Sequence, residues 1–566
     1  MAPLPFQAMD LTTLRAVLAE LEPRLVPSRF EKAQQADAHT LQLGFRSLEG
    51  RTWLELSWQA EAPRLFAIPP PPRGGDGSTL AQQLQHGLGG LALVALQQPS
   101  WERVVHLQFA PRPGEAISRT LVVELMGRHS NLFLLDENQR VVAAARQVRE
   151  QQSRLRPIAT GDAYSPPPPL AGKPPCRDES FAHWRQELQL LPLPLKQALQ
   201  GAYQGISPAL ALQLAGDQQP EASALLNQPV DALTPEQWQQ LWQRWQTWLA
   251  ALDQSRFQFS TGEATAYRCW QASESPVETL AINQALADYH HQQLGQRRQG
   301  QRRRQLEQRL QQALSREQQQ QQHQQALLDQ VENSEALQRQ ADALLCLQQP
   351  SREQVAEAQA LYKKARKLRR SGAAITPRLE QHHQRIAELE ESLTYLEQLP
   401  PTASLDDLTA LEQDSDLVLQ QRSKGAGPRQ ELPCPLEVRC PSGARLQVGR
   451  NHRQNEWISL RQARRGDLWF HAQECPGSHV VLKGSEAPLG EADLQAAADL
   501  AAHFSRARGN SRVAVVMVPT EDLQRIAGAA AGTVRHRGGT VLWAEPARAA
   551  ALLEQAVPSL KGEPEP

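Results

Sequence analysis

The spacing of hydrophobic positions changes several times along the chain, and each change marks a different kind of structure. Over residues 11–21 leucine and alanine recur at helical intervals, whereas 40–45 and 52–58 alternate apolar with polar and predict strands. The run Pro69 to Pro72, followed by Gly74 and Gly75, suits neither period and predicts an exposed loop. Residues 80–96 read as one helix. Val105, Leu107 and Phe109, then Leu121, Val123 and Leu125, alternate with their neighbours, and 132–135 runs into the turn residues Asp136, Glu137 and Asn138. These three segments predict a meander with one buried face. SPPPPLAGKPP at 165–175 has the composition of a linker.

Residues 181–282, rich in Leu, Trp and Gln, read as helical. The turn Gly205-Ile206-Ser207-Pro208 within them is open to two readings: an ordinary turn between packed helices, or half of a phosphate-binding helix-hairpin-helix. From 283 to 399 glycine is scarce, and Leu379, Ile386, Leu389, Leu393 and Leu396 keep the a/d spacing of a coiled coil. With Leu306, Leu310 and Ala313 in the first arm and a break near Pro350, the segment predicts an antiparallel hairpin. Residues 406–432 are polar and read as a linker. After it come strands at 436–439 and 445–448, a hairpin of strands at 467–473 and 479–483 about Pro476-Gly477, a helix over 491–508, and a short helix and charged tail. The expected fold class is a multidomain α+β chain. It comprises a mixed α/β N-terminal domain (1–165), a helix-hairpin-helix-like helical middle domain (176–282), an antiparallel coiled-coil hairpin (283–400), a linker (401–432), a C-terminal α/β domain (433–548) and a tail (549–566).

Composition narrows the function classes. The longest apolar runs, such as 91–96, fall short of the roughly 20 residues of a bilayer crossing, so no membrane span is expected. The first residues carry Asp10, Glu20 and Glu22 and no basic-then-apolar leader, which with six scattered cysteines and no CxxC pair points to a reducing, cytoplasmic setting. Sixty basic residues stand against 61 acidic ones, so attraction to a polyanion must come from local patches. No Walker loop, dinucleotide fingerprint, GxSxG or HExxH motif occurs; no catalytic residue, cofactor or metal site is expected. His471 and His479 lack Cys or carboxylate partners at ligand spacing.

Four constellations carry candidate chemistry. Arg297, Arg298, Arg302, Arg303, Arg304, Arg309 and Arg316 face only Glu307 and Glu317 nearby, which suits phosphate contacts or, equally, a solvated coiled-coil face. Lys363, Lys364, Arg366, Lys367, Arg369 and Arg370 crowd into eight residues without an acid, and such self-repulsion favours an RNA neighbour. In Glu124-Leu-Met-Gly-Arg-His-Ser-Asn131, Gly127 lets Arg128, His129, Ser130 and Asn131 project from a strand end, either as an RNA-reading edge or as a tight turn with capping side chains. Glu102 and Arg103, opening the preceding strand, could join that edge. Finally, VGRNHRQN at 448–455 with Arg450, Asn451 and Asn455, beside Trp469 and His471 of the strand DLWFH, offers phosphate contacts and stacking platforms.

ELMGRHSNLFLLDENQRVV at 124–142 is similar to the signature of the NFACT N-terminal domain. VGRNHRQNEWISLRQARRGDLWFHAQECPGSHVVLK at 448–483 resembles the core of the NFACT RNA-binding domain. The resemblance implies these two domains at the chain's ends, separated by the helical middle domain and the hairpin. It implies a factor that binds an obstructed 50S ribosomal subunit, through 23S rRNA and ribosomal proteins, while the subunit still holds peptidyl-tRNA. Such a factor recruits alanyl-tRNA, works beside a small RNA-binding rescue cofactor, and directs template-free alanine tailing with the ribosome making the peptide bonds. In the family an Asp-Arg pair before the GRHSN strand is tied to tRNA; here it is matched by Glu102 and Arg103, its carboxylate one methylene farther out. The tRNA role then falls on Glu102, Arg103, Glu124, Gly127, Arg128 and Asn131, and wider RNA contact on Arg450, Asn451, Asn455, Trp469, His471, Lys363, Lys364, Arg366 and Lys367. Two competing readings are a surface fibronectin-binding adhesin, which the missing leader argues against, and a glycosylase-like nucleic-acid enzyme. The N-terminal fold resembles formamidopyrimidine DNA glycosylases, but Met1-Ala2-Pro3 and the lack of a four-cysteine finger depart from that chemistry.

Overall fold

The computed structural model describes residues 5–74, 78–99, 101–270, 281–400, 403–420, 434–440, 442–526 and 531–556. The chain divides into two compact units, Met1–Gly295 and Gln296–Pro566.

In the first unit, helix α1 (Leu11–Leu25) is capped by Asp10, whose carboxylate accepts from the Thr13 backbone N–H at 2.9 Å. Among the described residues nine strands then form one antiparallel sheet: β1 (Ser28–Asp37), β2 (Thr40–Ser47), β3 (Gly50–Ser57), β4 (Arg64–Ile68), β5 (Ala92–Gln97), β6 (Val104–Ala110), β7 (Arg119–Glu124), β8 (Asn131–Leu135) and β9 (Val141–Ala144), in the order 4-3-2-1-5-6-7-8-9. Helix α2 (Thr79–Leu88) joins β4 to β5. Two expectations need correcting here. Residues 80–96 are not one helix: Gly89 and Gly90, the latter at φ +82°, end α2, and the short apolar run after them enters the sheet as β5. A run that brief has no period to separate strand from helix. Nor does the meander bury one face only. Leu121, Val123, Leu132 and Leu134 enter the core beneath α1, while Val122, Phe133 and Leu135 pack on the opposite face with Val104, Val141 and Ile158.

Five helices follow: α3 (Phe181–Leu188), α4 (Leu195–Ala202), α5 (Pro208–Ala215), α6 (Gln219–Asn227) and α7 (Pro235–Asp253), around a core of Trp184, Trp238, Trp245 and Trp248. The expected all-helical segment ends instead in a hairpin, β10 (Phe257–Ser260) with β11 (Arg268–Trp270), whose Phe259, Tyr267 and Cys269 fill the sheet domain's core. The 205–208 turn proves to be a packing joint. Ser207 caps α5 and donates to Asp10 at 2.6 Å, and a Cβ on Gly205, at φ +78°, would lie 2.6 Å from Leu11 and 3.1 Å from Trp101. Only glycine admits that approach.

Helix α8 (Ile282–Leu345) starts in the sheet core with Ile282 and Leu286; from Gln296 onward it belongs to the second unit. There it runs antiparallel to α9 (Arg352–Gln398), which starts from a Ser351/Gln354 capping box. Tyr362 bonds Asp342, Arg369 bonds Gln338 and His382 pairs with Glu317, so partners on α8 fall in number as α9 advances. The expected linker 401–432 contains a helix, α10 (Leu405–Gln420); 421–432 lie outside the described residues. Leu408, Leu411 and Val418 pack against Leu306, Leu310, Leu389 and Leu396, and Glu412 pairs with Arg302. Its acids find their partners 38 to 110 positions away, which local composition does not reveal.

The C-terminal domain is a six-stranded antiparallel sheet of β12 (Leu436–Arg439), β13 (Arg445–Val448), β14 (Leu468–Ala472), β15 (Val480–Leu482), β16 (Val513–Pro519) and β19 (Thr540–Ala544), in the order 12-13-15-14-16-19. The pair β17 (Leu523–Arg525) and β18 (Val534–His536) stands apart from it. Between β13 and β14 the chain forms the short helix α11 (His452–Glu456) and a wide π-turn, Trp457–Arg461. Helix α12 (Glu491–His503) is buried from Ala496 onward and closes the core with α13 (Ala549–Ala556). No helix among the described residues is long and apolar enough to cross a membrane.

If α10 is a packed third helix, Leu411→Ala costs about 2–5 kcal/mol in denaturant unfolding of the second unit. An exposed linker position would change by no more than about 0.5 kcal/mol.

Candidate nucleic-acid interface

In the first unit the ends of β6 and β7 converge. The Leu125 N–H donates to the Arg103 carbonyl at 2.9 Å, which places Glu102 and Arg103 beside the corner 126–130. Trp101 seats this end: its ring lies edge-on to Trp248 at 6.0 Å, with the Arg15 guanidinium over it at 5.3 Å. Glu102 and Arg103 are half-buried. Burial pushes the Glu102 carboxyl above its ordinary value, against a hydrogen bond from the Leu170 backbone and the charge of Arg103.

The corner itself is a 3-10 turn, Gly127–His129, entered at a Gly127 φ of +58° that favours glycine. Ser130 Oγ accepts from the Met126 N–H at 2.8 Å and locks the turn. Arg128 and His129 are exposed, and Arg128 Nε donates to His129 Nε2 at 3.0 Å. Beneath them two sequence-predicted residues are occupied. Glu124 has no exposed surface; Arg156 grips it with two bonds of 2.6 and 2.9 Å, and the Tyr164 hydroxyl donates at 2.9 Å. Burial disfavours the Arg156 charge, but the bonds to Glu124 outweigh it and raise its pKa; burial and the same carboxylate push the Tyr164 phenol far up. Asn131, 2 % exposed, accepts from the Leu132 and Arg146 N–H groups at 2.9 and 3.0 Å and donates to the Arg146 carbonyl at 2.7 Å. Arg146 in turn donates to the Arg128 carbonyl at 3.0 Å.

The outcome is a rigid corner whose exposed cations are Arg128 and Arg146, with Arg103 at its side, while Glu124 and Asn131 support it from inside. Arg146 and Arg156 escaped the sequence reading. A signal was there: residues 146–156 hold four arginines and one glutamate.

In the second unit the candidate residues divide similarly. Arg450 pairs with Asp407 of α10 at 2.8 Å, and Asn451 caps α11. Asn455, 2 % exposed, donates to the Tyr395 hydroxyl at 2.7 Å and accepts from the His479 N–H at 3.1 Å. The His452 ring sits between Glu391 at 3.3 Å and Ser392 at 3.0 Å, and its backbone N–H donates to Asp414 at 2.8 Å. Burial opposes its charge, yet Glu391 and Asp414 raise it to about 9; Asp414, desolvated, stays above the ordinary carboxylate range despite His452. The VGRNHRQN segment is therefore a dock onto α9 and α10, and Arg450, Asn451 and Asn455 face that dock rather than solvent. Trp469 and His471 line a cavity instead. On α9, Lys363, Lys364, Arg366, Lys367, Arg369 and Arg370 are all exposed around a buried Ala365. In the arginine stretch of α8, Arg302 and Arg309 pair with Glu412 and Asp416, and Arg303 donates to the Leu399 carbonyl at 2.8 Å, so these three hold helices together. Among the described residues no group of three or more His, Cys, Asp or Glu could hold a metal ion.

With these geometries established, comparison with known proteins decides the family. Residues 10–356 match the model for the NFACT N-terminal and middle domains, and 441–538 match that of the NFACT protein RNA binding domain. The chain belongs to the NFACT family. Among NFACT relatives, the Rqc2 homolog RqcH of Streptococcus suis is 25% identical over 571 residues, covering 94% of this chain and 97% of its own length. That of Bacillus subtilis is 30% identical over 194 residues, 33% of this chain and 32% of its own. The solved C-terminal part of the Streptococcus suis fibronectin/fibrinogen-binding protein aligns with 45% of this chain and 99% of that one, at 27% identity and a TM-score of 0.38. In NFACT terms, the GRHSN corner and the DLWFHA strand fall within the two matched regions.

Arg156→Ala leaves the buried Glu124 carboxyl without its main partner and should cost about 3–5 kcal/mol in thermal or denaturant unfolding. Arg128→Ala should change stability by no more than about 0.5 kcal/mol while weakening RNA binding.

Proposed function

We propose that this chain is a cytoplasmic ribosome quality-control factor. In this reading it binds 50S subunits obstructed by peptidyl-tRNA, through 23S rRNA and ribosomal proteins, recruits alanyl-tRNA, and directs template-free alanine addition to the stalled chain. The ribosome forms the peptide bonds, this chain contributes position, and a small RNA-binding rescue cofactor assists with the peptidyl-tRNA. What carries the reading is the near full-length match to relatives named Rqc2 homolog RqcH, together with the NFACT RNA-binding domain.

The charge layout supports it. Net charge is -1, so whole-molecule attraction to RNA is absent and binding has to be local. Arg128 and Arg146 at a rigid corner suit one phosphate-lined edge of a tRNA, with Arg103 and Glu102 beside them; guanidinium groups fork onto phosphate and stack on bases. The exposed cations of α9 suit a second, larger RNA surface whose binding weakens steeply with salt.

Sedimentation of the full chain from cell extract tests this. It should travel with free 50S subunits, and a Glu102→Ala/Arg103→Ala variant should keep that position while its bound tRNA falls about tenfold, worth about 1.4 kcal/mol. A chain found only with intact ribosomes, or with no ribosomal particle, overturns the reading.

A further inference from the structure

The second unit holds a cavity of about 290 Å³ whose walls include Trp469, His471, His479, His536 and Glu391. The rings are ordered. Trp469 and His471 lie 4° from parallel with centroids 5.5 Å apart, His479 stands perpendicular to both, and His536 leans over Trp469 at 5.8 Å. His479 is braced by Ser459 at 2.8 Å, and burial lowers the pKa of both His471 and His479, which keeps their rings neutral. Trp469 is 3% exposed and its indole N–H is buried without a hydrogen-bond partner among the described residues. Glu391 supplies an acceptor of its own, held in place by His452.

Flat neutral walls and one carboxylate select a planar heteroaromatic ring that bears N–H donors. At the rim, strand β18 ends in His536 between Arg535 and Arg537, and both arginines are exposed. Cations flanking the mouth of an aromatic cavity suit a strand with phosphates on either side of one base. A paired base presents only its edges in a groove and cannot enter such a space.

We propose that this cavity receives one unpaired, amino-bearing nucleobase of single-stranded RNA, with Arg535 and Arg537 taking the adjacent phosphates. It goes beyond the assignment of the domain to RNA by naming a single-base site, and it rests on the reading of the chain as an RNA-binding factor. The base lies against Trp469 and the histidines, and its exocyclic amine donates to Glu391. Uracil has no such amine. A free nucleotide shares the ring chemistry but offers one phosphate to a rim with two arginines.

The test uses the full chain with a short polyadenylate oligomer, crosslinked by ultraviolet light and mapped by peptide mass spectrometry. Crosslinks are expected in the peptides holding Trp469, His471 or His536, at a yield roughly tenfold above polyuridylate, and competed by the oligomer roughly tenfold better than by AMP. His536→Ala, at an exposed position, should lose most of the yield. Crosslinks confined to other peptides, equal yields for polyuridylate or duplex RNA, or AMP competing as well as the oligomer would overturn the proposal. Ribosome sedimentation of His536→Ala separates the two readings. A variant that still co-sediments and keeps its crosslinks sinks the base site alone; a parent chain that neither crosslinks nor co-sediments sinks the ribosomal reading as well.

Discussion

Glu124 is a charge with no access to water, and the arginine corner above it depends on how that charge is met. Arg156 and Tyr164 occupy its oxygens, the Arg156 guanidinium lies over the Phe133 and Tyr164 rings at 5.7 and 5.4 Å, and the strands on either side are thereby fixed. Exposed cations such as Arg128 and Arg146 repel one another and favour a loop that spreads apart. A turn that keeps them together must be held from beneath, by polar groups that give up any contact with a ligand to do so. Glu124 and Asn131 are those groups here.

The second unit meets the same constraint with different residues. Asn455 bridges Tyr395 of α9 to the backbone of His479, and His452 carries its charge between Glu391 and Asp414. Those bonds secure the C-terminal sheet to α9 and α10 and bring Glu391 to the wall of the cavity beside Trp469. In both units amide and carboxylate side chains do the fixing together with paired cations such as Arg156 and His452, while Arg128 and Arg146 stay exposed.

That division explains what the sequence revealed. Strands β6, β7 and β8 were legible because Val105, Leu107, Phe109 and their successors alternate strictly, and the β14–β15 hairpin announced itself through Pro476-Gly477. Strand β1 lies inside the sheet yet reads as polar, since its buried Gln34 is satisfied by Gln42 at 2.9 Å, a partner visible only after folding. Helix α10 looked like a linker because the partners of its acids, Arg302 on α8 and Arg450 in the C-terminal domain, are remote in sequence. At the candidate site, position was readable and role was not. ELMGRHSN marks a corner at the end of a strand, but nothing local separates an asparagine that reads RNA from one that ties Arg146 in place, and Arg156 serves Glu124 across 32 positions.

The central claim is that rigidly framed arginine edges hold RNA on behalf of a ribosomal complex. Sequencing the RNA retained by the tagged chain after purification from cells examines it most directly. Large-subunit rRNA with a strong enrichment of alanine tRNA is the expected profile, with the tRNA share falling sharply in an Arg128→Ala/Arg146→Ala variant. A profile no different from a mock purification, or a tRNA share untouched by the double substitution, would contradict it.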